Sequence, residues 1–507
     1  MNPVHIAGVG MTKFGKSPKG LIEIMCEAAT AALSNSKIQD IDAVYVAAMN
    51  PEEFTGDGNF ASHIVDALGL SGIPAVRVET ASSSGAAAFY VAFQGIASGC
   101  YRHVLVIGGE KMTHLTTSAS TRILAEVIDS QERNCGATMP ALAAMVTAKY
   151  RRHYHRSESQ MERSLCAVAM KNHANGVHND CAQFRQAITQ EKYFASKFVA
   201  TPLRLYDCAP MTDGAAAAIL TAERTDLAVS GVGQGTAPVR LGQRESLTCF
   251  PATRIAAQRA YEMAGLSPPE IDVAEVHDAF TPFEIIGTED LGFFQPGKGG
   301  QAVESGRTAA DGPLPINASG GLKSRGHPVG ASGIAQIVEI ARMLRGESSA
   351  KLTREPHRAL AQSTGGLATN NLVTIVERVN GAKRAATPAP PAAETQERGR
   401  LKKPSSRAPV GSEGVIETYT ILHTTPDGFL APLALALIRD SKGSLVMAQG
   451  EDISHLKIGS EVYLRQAAGI FYFTVKSHLQ LVRAAMQKLW HKNPGPSEKQ
   501  PSSDSNR

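Results

Sequence analysis

The chain has 507 residues, of which 43% are hydrophobic, 19% charged and 6% aromatic, and its formal net charge is +4. That length suits two or three domains, and that composition is globular rather than disordered. So small a charge over so long a chain gives no reason to expect a nucleic-acid partner, and no run of about 18 apolar residues offers a membrane span.

In chain order, residues 1–380 alternate short apolar runs with amphipathic stretches. Ala43–Ala48, Val104–Gly108, Ile271–Val276 and Leu372–Val376 read as strands, and Leu21–Leu33, Ala86–Ala97 and Ile334–Leu344 as helices. This alternation, with abundant Gly and Ala, predicts α/β layers of parallel or mixed sheet covered by helices. Residues 381–412, rich in Pro and Ala, read as a semi-extended linker. Beyond it, Val415–Leu422, Leu433–Ile438, Ser444–Gln449 and Glu461–Leu464 are strand-like and separated by turn signals, the pattern of a small five-strand OB-type barrel within 413–490. A helix is expected over Val475–Trp490, and a disordered tail over 491–507.

Seven scattered cysteines form no CxxC pair, so neither a disulfide framework nor a zinc site is expected. His153, His155, His173 and His178 lack a compact ligand spacing, so no metal is expected there. The first residues show no secretory pattern, and a cytoplasmic location is the expectation.

Four short stretches could carry chemistry. Ala81-Ser82-Ser83-Ser84-Gly85 follows a strand-like run and opens a helix, a turn that exposes one side chain or simply caps the helix. Glu275-Val276-His277-Asp278 ends a strand, with His277 a donor and Asp278 an orienting group. Gly326-His327-Pro328-Val329-Gly330-Ala331-Ser332-Gly333 sets one histidine among small residues at a second helix start, where free N–H groups favour developing negative charge. Gln362-Ser363-Thr364-Gly365-Gly366 is a glycine turn whose amides could serve an oxyanion. The first and third stretches echo one another, which suggests two similar halves whose helix starts meet at one site.

Taken together with Lys171-Asn172-His173, Ala182-Gln183-Phe184-Arg185 and the run from Tyr206 through Asp213-Gly214 to Ala217, these stretches resemble the thiolase superfamily, most closely its sterol-carrier-protein-x type. The resemblance implies a thiolase fold, layered α-β-α-β-α, with an N-terminal half over 1–238, an inserted loop domain at about 111–200 and a C-terminal half over 239–380. It also implies a coenzyme A thioester as substrate or product with no permanently bound cofactor, and a homodimer or dimer of dimers, with a further pathway subunit as an option. Pro426-Asp427-Gly428-Phe429 and Leu456-Lys457-Ile458-Gly459 are similar to the OB-fold partner that accompanies such enzymes, here fused and without ribbon cysteines.

In the family, a cysteine at the first helix start is acylated, and the matching position here is Ser82. The GHP histidine matches His327, which would activate the nucleophile and share an oxyanion hole with His277 and the Gly365 amide; Gly326, Gly330, Ala331 and Ser332 would approach the substrate. The second, acid/base cysteine has Ala279 or Ser363 in its place. A free thiol has a pKa of about 8.5, whereas a serine hydroxyl needs a base beside it. An acyl-serine is also more stable than the thioester that made it, so thiolysis is disfavoured. The expectations are therefore a Claisen-type acyltransferase working through Ser82, a retro-aldol lyase on a 3-hydroxyacyl thioester without a covalent intermediate, or a non-catalytic acyl-CoA-binding scaffold.

Overall fold

A computed structural model describes residues 1–379 except Gln39, and 411–476 except Ser454. The expected linker lies outside the described residues save for its last two positions. The expected C-terminal helix from 477 onward and the tail at 491–507 lie outside them too.

Eleven strands belong to the first 379 residues: β1 His5–Met11, β2 Ala43–Ala47, β3 Ala75–Val78, β4 His103–Glu110, β5 Phe198–Ala200, β6 Leu203–Arg204, β7 Gly214–Thr221, β8 Leu227–Thr236, β9 Val273–Glu275, β10 Arg358–Gly365 and β11 Asn370–Arg378. Nine of them run in the order β3-β2-β4-β7-β1-β8-β11-β10-β9. The join between β1 and β8 is the single pair His5↔Ala228, so this is two half-sheets meeting edge to edge.

The halves repeat one plan. In the first, β3 and β4 flank β2 in parallel, and β7 then β1 follow antiparallel. In the second, β9 and β10 are parallel, and β11 then β8 follow antiparallel, while a parallel bridge from Ala274 to Ile316 stands where β3 stands in the first. Helices complete the layers. Leu21–Ser34 covers β1, β4 and β7, and Pro251–Ala264 covers β8 and β11. Between the half-sheets lie Ser84–Ala97 and Ser332–Arg345, the second touching strands of both halves. Every residue of β4 and β7 is buried, as strands covered on both faces must be.

The segment between β4 and β7 is mostly helical, with Thr117–Leu124, Met139–His153 and Glu158–Gly176 as its main helices. Its short strands β5 and β6 reach the C-terminal region, which holds β12 Glu413–Leu422, β13 Leu433–Asp440, β14 Leu445–Gly450, β15 Glu461–Ala467 and β16 Ile470–Val475. These five close on themselves through the pairings β12–β13, β13–β14, β14–β16, β16–β15 and β15–β12, a small barrel with its own apolar core. The last strand corrects the sequence reading. Val475 ends a strand rather than starting a helix, because Ile470–Val475 alternates its buried side chains against β15.

The barrel packs on the inserted segment. Ala200 of β5 pairs with Leu422 of β12, Thr418 Oγ1 donates to the Met145 carbonyl at 2.9 Å, and Lys149 meets Glu417 at 2.6 Å. Leu422, Leu435, Leu437 and Met447 of the barrel share one hydrophobic cluster with Leu142, Met145 and Tyr150 of the Met139–His153 helix. Among the described residues, no helix is long and apolar enough to cross a membrane.

Candidate active site

Of the three serines at the first helix start, two are used up locally. Ser84 Oγ accepts from the Thr80 amide at 2.9 Å and donates to the Ala81 carbonyl at 2.6 Å. Ser83 Oγ sits 2.8 Å from the Thr80 carbonyl and 3.0 Å from that of Asn370. Both are fully buried, while Ser82 is half-buried and lines a cavity. The chain achieves this by a sharp turn in which Ala81 takes φ +57°, a left-handed value a non-glycine residue seldom adopts.

The second helix start lies against the first. A Cβ on Gly85 would come within 2.7 Å of the Gly330 carbonyl, and one on Gly333 within 2.4 Å of the Ala86 amide nitrogen. Glu110, at the end of β4, ties this junction to β2 by accepting from the Met49 amide at 2.8 Å and the Gly330 amide at 3.1 Å. Burial pushes its carboxyl up to about 7.

His327 is held by its backbone and by its ring. Its amide donates to Thr212 Oγ1 at 3.0 Å, and its Nδ1 is 2.7 Å from Ser332 Oγ. The Ser332 hydroxyl has one hydrogen and also lies 2.9 Å from the Pro328 carbonyl, which can only accept. Both contacts are satisfied together when Ser332 donates to Pro328 and the imidazole donates through Nδ1–H, leaving Nε2 with a free lone pair. Burial, with the Arg325 guanidinium nearby, pushes His327 down to about 3, so the resting ring is neutral.

His277 follows β9, with its amide donating to Gln362 Oε1 at 2.8 Å. Its ring meets that of His327 edge to face, with centroids 5.1 Å apart. It is 2% exposed, and its Nδ1 has no hydrogen-bond partner among the described residues. Burial, then His327, then Arg325 hold it well below the ordinary histidine range, so it too is neutral. Asp278 is engaged elsewhere. It accepts from the Leu322 amide at 2.6 Å and from Asn172 Nδ2 at 2.7 Å, anchoring the loop that leads to His327.

Ser82, His277 and His327 thus line one cavity, partly open to solvent. Its apolar wall includes Met49, Met112, Leu124, Val127, Phe280 and Phe283, and its described lining draws on the inserted segment but not on the barrel. Ala279, at the position of the family's second cysteine, lines it as well, whereas Ser363, Gly365, Gly326, Gly330, Ala331 and Ser332 do not. Ser363 is buried with its Oγ unpartnered among the described residues. Gly365 packs against the Thr80 carbonyl, and its neighbour Gly366 reaches the cavity instead. Gly326, Gly330 and Ala331 shape the loop, Gly330 being small because a Cβ there would come within 2.5 Å of the Gly109 carbonyl. Ser332 acts on His327 rather than on the cavity.

Sequence reasoning missed Cys208, Ala209, Pro210 and Met211, which also face the cavity. They stand in the stretch Tyr206–Ala217, which carried family likeness without chemistry being read from it. Asp213, in the same stretch, fixes the run after β4 by accepting from the Met112 and Thr113 amides at 2.7 and 2.8 Å and from Lys111 Nζ at 2.6 Å.

Comparison with known proteins agrees with this architecture. Residues 4–224 match the family model for the thiolase N-terminal domain, and residues 233–378 that for the thiolase C-terminal domain-like family. The chain is 38% identical over 389 residues to an acetyl-CoA acetyltransferase of Methanothermobacter thermautotrophicus, covering 75% of this chain and all of the relative. It is 32% identical over 387 residues to sterol carrier protein 2 of Oryctolagus cuniculus, covering 71% of this chain and 70% of the relative. The solved structure of a monomeric SCP2-thiolase like protein type 1 from Mycobacterium smegmatis superposes with a TM-score of 0.69 at 16% identity, covering 93% of this chain and 99% of that one, a likeness of fold. With two family models spanning both half-sheets and relatives of this identity, the chain belongs to the thiolase family of acyltransferases.

Proposed function

We propose that this protein makes or breaks a carbon–carbon bond in a coenzyme A thioester, with Ser82 at the acyl-accepting position. The observation that carries the reading is the convergence of Ser82, His277 and His327 on one largely apolar cavity. In the acylation step, the Ser82 hydroxyl gives its proton to the free lone pair of His327 Nε2 as its oxygen attacks the thioester carbonyl. The carbon–sulfur bond then breaks, and the same proton passes to the leaving thiolate of coenzyme A. His327 Nε2, neutral again, takes the α-hydrogen of a second thioester; the resulting enolate attacks the acyl-serine carbonyl, the carbon–carbon bond forms, the bond to the Ser82 oxygen breaks, and the proton on Nε2 returns to that oxygen. A hydrogen on the neutral His277 ring meets the negative oxygen.

A second reading is favoured by the burial that holds His327 down to about 3, since it makes a full imidazolium costly. In that reading the two imidazoles stabilise an enolate released by retro-aldol cleavage of a 3-hydroxyacyl thioester, and Ser82 is never acylated. The deciding experiment combines intact-protein mass spectrometry with product analysis over 3-keto- and 3-hydroxyacyl thioesters. Acylation lost in Ser82→Ala, with condensation products, supports the first reading. An aldehyde or ketone formed equally well by wild type and Ser82→Ala supports the second. No turnover of any thioester sinks both and leaves a binding scaffold.

A further inference from the structure

Close to the two imidazoles lies a charged group that no step above uses. Arg325 is 0% exposed, and the carboxylates of Glu275 and Glu339 are buried with it. Its Nη1 is 3.4 Å from Glu275 Oε2, 3.9 Å from Glu339 Oε1 and 3.2 Å from Ser319 Oγ. Ser319 gives its own hydroxyl hydrogen to Glu275 Oε2 at 2.6 Å, and its amide donates to Glu275 Oε1 at 3.0 Å. Asn179 Nδ2 donates to Glu339 Oε1 at 2.8 Å.

An ion pair buried this deeply does not by itself stabilise a fold. Taking both charges out of water offsets much of their attraction, and uncharged residues of similar volume often hold a fold equally well. The pairing is also incomplete, since Arg325 Nε and Nη2 have no hydrogen-bond partner among the described residues. A guanidinium kept in such a place calls for a reason other than stability.

Its connections supply one. Glu275 ends β9, two residues before His277. Arg325 ends the short helix Gly321–Arg325, two residues before His327. Glu339 belongs to the helix Ser332–Arg345, whose first residue holds the His327 ring at Nδ1. The three elements that place His277, His327 and Ser332 therefore meet at one guanidinium. Asp278 ties the first two of these segments as well, but at the Leu322 amide, whereas Arg325 ties them closer in the chain to His327.

We propose that Arg325, clamped between Glu275 and Glu339, is a positioning residue that sets the separation and facing of His277 and His327, so that the base and the oxyanion donor serve one bound thioester. This rests on the carbon–carbon reading above, in either of its forms. Arg325 stands outside the cavity lining and acts through the segments it joins. The quantity it fixes is the edge-to-face contact of the two rings, with centroids 5.1 Å apart. Both imidazoles must meet the same reacting group, and a displacement of about 1 Å at such a site can cost about 100-fold in rate.

The test separates positioning from folding. The double variant Arg325→Met with Glu275→Gln removes the ion pair with little change of volume, so its melting temperature should stay within a few degrees of wild type. Its kcat on the 3-keto- or 3-hydroxyacyl thioester that wild type turns over should fall by about 100-fold, while calorimetric affinity for that thioester stays within a few-fold. A crystal structure of this variant should show the two rings moved from their edge-to-face contact. Arg325→Lys, which keeps the charge and can reach one carboxylate, should recover part of the loss. The nearly isosteric Glu275→Gln alone should lose about ten-fold in kcat with affinity kept. Wild type that turns over no thioester overturns the carbon–carbon reading and this inference with it. A folded double variant with wild-type kcat overturns this inference alone, as does one in which kcat and affinity fall together. Should the double variant fail to fold, wild-type kcat in Glu275→Gln overturns it equally.

Discussion

At the Ser84–Ala97 helix the chain arrives through three serines, and at the Ser332–Arg345 helix through Gly-His-Pro-Val-Gly-Ala. Each helix begins where its half-sheet hands the chain to the central layer, and the two starts touch at Gly85 and Gly333. The first presents a side chain, Ser82, on a turn strained at Ala81 and otherwise closed by its own hydroxyls. The second is a support: the backbone and ring of His327, Ser332 and the Glu110 contact all fix the direction of one imidazole. A duplicated frame therefore gives two equivalent positions, and the residues placed there divide presentation from orientation.

That division can be broken most sharply at the supporting start. His327→Ala should lower turnover by roughly 10³-fold while leaving thioester affinity within a few-fold, measured by steady-state kinetics beside calorimetric binding. Equal losses in binding and turnover would show that His327 holds the substrate rather than acting on it.

The junction between the two starts offers a stability test. Glu110 keeps its proton in the fold up to about 7, against an ordinary carboxyl value of 4.5. Between those pH values the native chain binds a proton that the unfolded chain has released. The stabilisation is complete below that window and is lost as pH rises through it, by up to about 3 kcal/mol. Glu110→Gln should flatten this part of the decline in melting temperature between pH 5 and pH 8. The remainder persists, because burial also pushes Glu132 and Glu275 up to about 7. An unchanged slope would place Glu110's titration outside the folding equilibrium.

Orientation alone is probed by Ser332→Ala, which frees the His327 ring to adopt either tautomer. Turnover should fall by about ten-fold with melting temperature little changed, and Ser332→Thr should restore part of it. The smallest effect is expected where the barrel meets the inserted segment. Thr418→Val removes the hydroxyl that donates to the Met145 carbonyl and should cost about 1 kcal/mol in chemical denaturation, with turnover unchanged. A large loss of turnover there would give the barrel a catalytic role that the cavity lining does not suggest.

Much of the frame was legible in the chain. The run Val104–Gly108 lies within β4, and Leu372–Val376 within β11, because buried strands leave a continuous apolar signature. Leu21–Leu33 was equally readable, since one face of that helix is apolar and the other polar. Strand β16 was not, because Ile470–Val475 is short and runs straight into residues that could continue as a helix. The extension of the barrel sheet by β5 was not legible either, for Ala200 and Leu422 are far apart in sequence and nothing local marks their pairing.

The site divides in the same way. The sequence by itself determined the residue types available, a serine and two histidines at positions matching a family pattern, because those motifs are contiguous and their glycines and prolines are dictated locally. Only the tertiary structure decided which serine faces the cavity, which nitrogen of His327 carries the hydrogen, and that Cys208 lies across from Phe280. Each of those depends on an atom supplied by a distant part of the chain or by the packing of a whole loop. Such contacts follow from how the half-sheets and their helices close on one another, and no local periodicity encodes them.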